Sequence, residues 1–118
     1  MLEVVGAAES RYDDSMPADL KQFIAMFTPC RETFPGDGTE EEFAKVNEHF
    51  QQLKRDEEAG TLILAGRTQD ENPAGIYIFK AENQEAAERR IKEDAAIASG
   101  VFILQWVRPY SVALFKAP

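Results

Sequence analysis

The stretch that decides the fold runs from residue 39 to residue 65 and reads TEEEFAKVNEHFQQLKRDEEAGTLILA. Thr39 is a predicted helix N-cap because its hydroxyl can accept a backbone N–H of the first turn, and Glu42 completes a capping box. Gly60 predicts the end of the helix, since glycine readily adopts the left-handed conformation found there. The apolar run at residues 61–65 then predicts a strand. This region is therefore one helix followed at once by one strand.

Further elements are predicted on both sides of this unit. Before it, the apolar run QFIAMF at residues 22–27 predicts a strand that ends at Thr28 and Pro29. After it, the sequence predicts a strand at residues 76–79, a helix at residues 83–99 and a strand at residues 101–107. The order βαββαβ is the split-βαβ, or ferredoxin-like, arrangement, an α+β fold. Right-handed crossovers place both helices on one face of its four-stranded sheet.

The predicted strands are apolar on both faces. In the first strand, Ile24 and Met26 alternate with Phe23 and Phe27, and the next two strands have the same pattern. Two helices cover only one face, and the other would be a larger apolar patch than a soluble monomer normally exposes. We therefore expect a homodimer in which two sheets pack face to face.

Composition excludes several classes of function. The 118 residues are enough for one domain with one core, and 13 Lys and Arg against 21 Asp and Glu give a net charge of −8, which disfavours nucleic-acid binding. No apolar run is long enough to span a membrane, and no complete signal peptide is present. The single cysteine, Cys30, and the single histidine, His49, exclude an internal disulfide and Cys-rich or His-rich metal sites. A cytoplasmic location, with neither a membrane nor a nucleic acid as partner, is the expectation.

The N-terminal twenty residues differ in composition from the rest of the chain. They carry five acidic residues against one basic residue, Arg11, and almost no bulky apolar side chains after Val5. We expect a flexible acidic tail at residues 1–20 and a folded domain at residues 21–118, because domain ends are often poorly ordered. The alternative is that residues 2–5 add an edge strand to the sheet.

Two titratable residues stand close to the apolar stripes of the predicted helices. At 100° per residue, Asp94 falls within the stripe of the second helix, where a carboxylate loses hydration and needs a partner. Three explanations stay open. The helix could break before Asp94, which then caps the following AAIAS turn; a nearby Arg could pair with it; or His49, at the border of the buried face of the first helix, could reach it. A His49–Asp94 pair would fix the ring tautomer, as an orienting carboxylate does for a general base.

Several motifs resemble those of the YciI-like (YCII-related) proteins. Residues 49–66, HFQQLKRDEEAGTLILAG, are similar to the family pattern H-xxx-L-x6-G-x-L-xx-A-G. Residues 94–101, DAAIASGV, and residues 107–110, VRPY, are similar to its D-P-xxxx-G-V and V-x-P-F elements. The resemblance covers residues 21–115 and leaves the acidic tail outside.

This resemblance implies a ferredoxin-like fold that pairs through its sheets into a dimeric α+β barrel. It also implies a His–Asp catalytic dyad, carried here by His49 and Asp94. Most members of the family have no assigned reaction, and the family includes an enzyme that eliminates chloride from a chlorinated muconolactone. Ala95 departs from the pattern because the family usually has Pro there, and the change would loosen the turn that holds Asp94.

Two arginines are candidate ligands for an anionic substrate. Arg31 follows the first strand and Arg67 follows the second, and the guanidinium fork matches a carboxylate. Cys30 as a nucleophile with His49 as its base is a lesser alternative. No phosphate-binding glycine pattern occurs in the sequence, so we predict no cofactor and no metal.

The sequence supports three hypotheses for function. The first is a small cofactor-free enzyme in which His49, oriented by Asp94, moves a proton or promotes an elimination on a small lactone-like or carboxylated molecule. The second is a non-catalytic binding or accessory domain in which the same pair is a structural ion pair. The third is a cofactor-independent monooxygenase or another relative with the same dimeric barrel, because a fold does not fix a function.

Overall fold

The computed structural model of the protein describes residues 20–116. Within this part of the chain the elements are β1 Lys21–Pro29, α1 Glu40–Ala59, β2 Leu62–Arg67, β3 Gly75–Ala81, α2 Gln84–Lys92, α3 Ala95–Ala98 and β4 Phe102–Pro109. The predicted acidic tail and the alternative strand at residues 2–5 lie outside the described residues, apart from Leu20. No helix between residues 20 and 116 is both long and apolar enough to cross a membrane.

Helix α1 begins and ends where the local sequence signals predicted. The Thr39 side chain accepts a hydrogen bond from the Glu42 backbone N–H, and the Glu42 side chain accepts one from the Thr39 backbone N–H. Gly60 ends the helix in the left-handed conformation, with φ of 86°, and its N–H donates to the last turn. These local hydrogen bonds explain why the boundaries of α1 were readable from sequence.

The four strands form one antiparallel sheet in the order β2-β3-β1-β4. This is the predicted α+β, ferredoxin-like arrangement, and the structure confirms it. Strands β1 and β4 are longer than the apolar runs suggested. Pro29, the last residue of β1, pairs with Phe102, and Pro109, the last residue of β4, pairs with Phe23. A proline ends a strand without loss there because no further ladder hydrogen bond depends on its missing N–H.

The hydrophobic core lies between one face of the sheet and the helices. Phe23 and Phe27 of β1 and Phe79 of β3 point toward the helices, and they pack with Leu53 of α1 and Ile91 of α2. A smaller cluster joins the loop after β1 to the short helix α3 through Phe34, Ala96 and Val101. Both long helices therefore cover the same face of the sheet.

The single helix predicted at residues 83–99 is wrong. The chain leaves the helix after Lys92, passes through Asp94 in an extended conformation (φ −57°, ψ 137°), and re-enters it as α3 at Ala95. The Asp94 carboxylate accepts the backbone N–H groups of Ala96 and Ile97. An aspartate side chain competes in this way with helical hydrogen bonds, and the alternative in which Asp94 caps the AAIAS turn is confirmed.

The apolar stripe predicted on α1 divides between the core and the surface. Leu53 is buried, whereas Phe43 and Phe50 stay about half exposed at 47% and 53%. His49, predicted at the border of the buried face, is only 3% exposed. The helix is thus turned so that His49, rather than the two phenylalanines, faces the sheet most directly.

The opposite face of the sheet, called here the outer face, is also apolar. Cross-strand partners share a face, so Ile24, Met26, Ile76 and Ile78 lie together on it. Trp106 of β4 pairs with Met26, but the next partner of β1 is Leu104, and this irregularity lets Leu104 and Val107 both pack toward the core. No described helix covers the outer face.

The close approach of Gly75 to Phe27 gives a stability prediction. The two residues are cross-strand partners, and a Cβ at Gly75 would overlap the Phe27 ring, which is itself part of the core. We expect Gly75→Ala to lower the free energy of unfolding by about 1–3 kcal/mol, because the ring must move within a packed core. Chemical denaturation would measure the change.

Gly66 provides the matched control. It lies on the neighbouring strand, and a Cβ there would meet no atom within 4 Å. Gly66→Ala should change the free energy of unfolding by no more than about 0.5 kcal/mol. Equal losses for the two substitutions would contradict a specific contact between Gly75 and Phe27.

Candidate active site

His49 lies in an aromatic environment between α1 and the sheet. Its ring has edge-to-face contacts with Phe27, Phe50 and Phe102 at centroid distances of 5.9, 5.2 and 5.2 Å. The Tyr77 ring stacks on it at 5.7 Å. These neighbours exclude water from most of the imidazole, so its polar contacts must come from protein groups or from a ligand.

Asp94 supplies the main polar contact of the imidazole. Its two carboxylate oxygens lie 2.8 and 3.0 Å from Nδ1 of His49. Asp94 is 2% exposed, and one of its oxygens also accepts the N–H groups of Ala96 and Ile97 at 3.0 and 3.2 Å. The partner of Asp94 is therefore His49, while Arg90 pairs with Asp56.

The surroundings of Asp94 keep its carboxyl group ionised. Burial raises the pKa of Asp94, but the hydrogen bond and charge of His49 and the two backbone N–H groups outweigh burial and hold the pKa below its ordinary value. An ionised carboxylate only accepts hydrogen bonds, so Nδ1 of His49 carries the proton in this pair. In a neutral ring the lone pair is then on Nε2, the nitrogen that a general base uses.

Tyr77 is a polar member of the site that sequence reasoning missed. Its hydroxyl lies 2.7 Å from Nδ1 and 3.1 Å from Nε2 of His49, and the residue is 3% exposed. Burial, followed by the charge of Asp94 and a hydrogen bond to it, raises the pKa of Tyr77 well above its ordinary value, so the phenol stays protonated. A signal was available, because a tyrosine on the core face of a strand must find a polar partner for its hydroxyl.

A cavity of about 410 Å³ opens next to His49 and Tyr77. Its walls are mainly apolar side chains of α1, the sheet and the loop after β1: Phe27, Phe34, Phe43, Val46, Phe50 and Phe102. Arg67, at the end of β2, is the arginine among the described residues that line it. The half-exposed phenylalanines of α1 are thus walls of a cavity rather than unpacked core.

Arg31, the other predicted anion ligand, is placed elsewhere. Its guanidinium donates to both oxygens of Glu42 at 2.7 and 2.9 Å and to the carboxylate of Asp37 at 3.0 and 3.1 Å. These contacts lower the pKa of Glu42 to about 2 and lower that of Asp37. Arg31 therefore joins the loop after β1 to the start of α1. Arg67 is the predicted anion ligand that lines the cavity.

Cys30 and the acidic side chains also have defined positions. The Cys30 sulfur is 3.3 Å from Nη1 of Arg31, and Cys30 is not among the described residues that line the cavity. Within residues 20–116, no three His, Cys, Asp or Glu side chains are grouped as a metal site would require.

Comparison with protein-family models gives a match. The family model of the YCII-related domain matches residues 22–111, which confirms the resemblance seen in the sequence motifs. A search of curated proteins found none that matches this chain. The matched range includes every residue of the site described above.

The role of Asp94 in fixing the imidazole tautomer can be tested by Asp94→Asn. The amide oxygen can still cap α3, but its NH₂ would then donate to Nδ1 and move the ring proton to Nε2. ¹⁵N NMR of the single histidine should show this switch, with the free energy of unfolding changed by only about 1 kcal/mol. Asp94→Ala should cost about 2–4 kcal/mol, because the cap is lost and the Nδ1–H is left unpaired.

Glu93→Gln is the matched control, since it removes an exposed carboxylate one residue away. It should leave both the tautomer and the stability unchanged. An Nδ1–H tautomer that persists in Asp94→Asn would show that the carboxylate does not set the state of the ring.

Proposed function

The chain belongs to the YCII-related domain family, and from this premise we propose that it is a small acid–base enzyme that needs no cofactor. In this proposal His49 is the general base and Asp94 orients it. Arg67 binds the anionic end of a small lactone-like or carboxylated substrate. The reaction is a proton transfer or an elimination, since both begin with removal of a proton by one base.

One observation carries this proposal. His49 is buried, bound to an ionised carboxylate through Nδ1, and at the same time lines a cavity. A histidine that served only to neutralise Asp94 would not need to face a space large enough for a ligand. The arrangement matches the general-base geometry in which one ring nitrogen is anchored and the other is offered to a substrate.

The cavity limits the kind of molecule that fits. A volume of about 410 Å³ is in the range of small-molecule sites, and its aromatic walls favour an apolar or ring-shaped body. Arg67 at its edge provides two parallel donors for a carboxylate. A small cyclic acid or lactone satisfies both features.

The second candidate function is a binding domain without catalysis. The observation that favours it is the double role of Asp94, which caps α3 as well as contacting His49. A structural pair would stabilise the junction of α1 with α3 whatever the cavity binds. The two candidates differ in what removal of His49 does to turnover.

Assays of a lactone and carboxylate panel with His49→Gln would separate these functions. For an enzyme, kcat on a converted substrate should fall by at least about 100-fold, because general-base catalysis is worth about 10²–10⁴-fold. Arg67→Ala should mainly raise KM, by about 10-fold, because it removes uniform binding of the anion. Melting temperatures of all variants would be measured alongside.

Arg55→Ala is the matched control, because Arg55 is an exposed arginine of α1 that bonds Gln52 outside the cavity. It should leave kcat and KM unchanged. A lower melting temperature for His49→Gln, with no turnover by either protein on any member of the panel, would favour the structural pair.

We further propose that the working unit is a homodimer paired through the outer face. Ile24, Met26, Ile76 and Ile78 form a continuous apolar surface there, and Leu64 at its edge is 44% exposed. A second copy offers the same surface, so a two-fold axis would bury both at once.

Light scattering after size exclusion tests the dimer. The intact protein should have twice the 13.2 kDa chain mass, and Ile78→Lys should give monomers because it buries a charge in the pairing surface. Ala44→Lys adds the same charge on the exposed side of α1 and should leave the dimer intact. A monomeric wild-type protein would contradict the proposal.

A further inference from the structure

Tyr77 and His49 present two different proton-handling groups to the same cavity. Both residues line it, and the tyrosine hydroxyl is 2.7 Å from Nδ1 and 3.1 Å from Nε2 of the imidazole. When its ring is neutral, the imidazole carries a lone pair on Nε2, while the phenol is a neutral donor. A base and a donor this close can act on neighbouring atoms of one small molecule.

A carbonyl compound with an acidic C–H beside its carbonyl has the matching pair of atoms. Its proton and its oxygen are separated by two carbon atoms, which is a span of a few ångströms. We propose that the substrates are ring-sized carbonyl compounds of this kind and that Tyr77 is a catalytic residue that donates a hydrogen bond to their oxygen. The inference rests on the proposed role of His49 as the base and adds the substrate class and a second catalytic group.

The chemical step can be written with its atoms and electrons balanced. The C–H bond breaks, and its proton goes to Nε2 of His49. The electron pair left on carbon forms the C=C bond of an enolate, and the carbonyl π pair moves onto oxygen. The Tyr77 hydroxyl turns its hydrogen bond from Asp94 to that oxygen, keeps its proton and stabilises the charge there, while Asp94 stabilises the imidazolium.

Three outcomes follow from the same enolate. His49 can return the proton to the same carbon, which gives exchange, or to a conjugated carbon, which gives isomerisation. The enolate can also expel a leaving group from the adjacent carbon, which gives elimination. None of these needs an oxidant, a reductant or a second substrate.

The surroundings of the hydroxyl favour this role over simple packing. Tyr77 packs its ring against Phe27 at 4.9 Å, and a phenylalanine would fill that space as well. The hydroxyl instead lies within 3.1 Å of both ring nitrogens of His49, the proposed base. Within apolar walls a single hydrogen bond to a developing charge is worth more than in water.

Deuterium exchange with two probes tests the inference without knowledge of the natural substrate. The probes are 2-coumaranone, a ring lactone, and 2-tetralone, a ring ketone, and ¹H NMR in D₂O follows loss of their acidic protons. The protein should accelerate exchange over buffer, and His49→Gln should abolish the acceleration. Tyr77→Phe should reduce it by about 10²–10³-fold, the usual effect of losing one oxyanion donor.

The matched control is Tyr110→Phe, since Tyr110 is an exposed tyrosine outside the cavity. It should exchange as the wild type does. Binding of 4-nitrophenolate, an enolate mimic, should weaken in Tyr77→Phe and not in Tyr110→Phe.

A second replacement covers the case in which Tyr77→Phe fails to fold. Fluorotyrosine, built into a chain that also carries Tyr12→Phe and Tyr110→Phe, makes the Tyr77 phenol a stronger donor and should raise the exchange rate. A rate unchanged by fluorination would overturn the role of Tyr77, as would Tyr77→Phe exchange within about threefold of wild type. Absence of any wild-type exchange would overturn the substrate class.

These results are distinguishable from failure of the proposed function. If the lactone panel reveals turnover that depends on His49 but not on Tyr77, the inference fails and the proposed function stands. If His49→Gln turns over its substrates as the wild type does, both fail together.

Discussion

The hydrogen bonds of one buried carboxylate, that of Asp94, hold the site together. Its oxygens accept Nδ1–H of His49 and the first backbone N–H groups of α3, so they tie α1 to the point where α2 ends and α3 begins. A carboxylate at 2% exposure is stable only because each of these donors compensates for lost hydration. The same bonds that end one helix and begin another therefore also fix the orientation of the imidazole.

The cavity follows from how α1 sits on the sheet. His49 and Leu53 are the buried residues of α1. Phe43 and Phe50 lie beyond the core and form part of the cavity wall. On the sheet side, Gly75 leaves room for the Phe27 ring that contacts both His49 and Tyr77. The polar groups of the site are thus set within aromatic surroundings, where water does not compete for their hydrogen bonds.

Of the two arginines predicted to bind an anion, Arg67 lines the cavity and Arg31 does not. Arg31 is committed to Asp37 and Glu42, and this cluster holds the loop that contributes Phe34 to the wall. Arg67 keeps its place at the open side, where the end of an edge strand leaves it exposed to solvent and to an incoming ligand. A net charge of −8 therefore says little about the cavity itself, whose walls are almost without charge.

Short-range signals in the sequence determined the order of elements and much of the fold. Thr39, Glu42 and Gly60 set the ends of α1 through hydrogen bonds within a few residues, and alternating apolar residues set the strands. The motifs also pointed to His49 and Asp94 as a pair. Their geometry was not readable, because the two lie 45 positions apart and meet only when the helices pack.

Only the tertiary structure decided which groups surround the pair. The sequence predicted one helix through Asp94 and left a break there as an alternative, and the competition of Asp94 for the N–H groups of Ala96 and Ile97 decides for the break. Tyr77 contacts His49 from 28 positions away in the sequence. Arg31 pairs with Asp37 and Glu42 and does not line the cavity. Periodicity predicts which side of an element is apolar. The partner of a buried polar group depends instead on how distant elements pack. That packing determined the chemistry of the site.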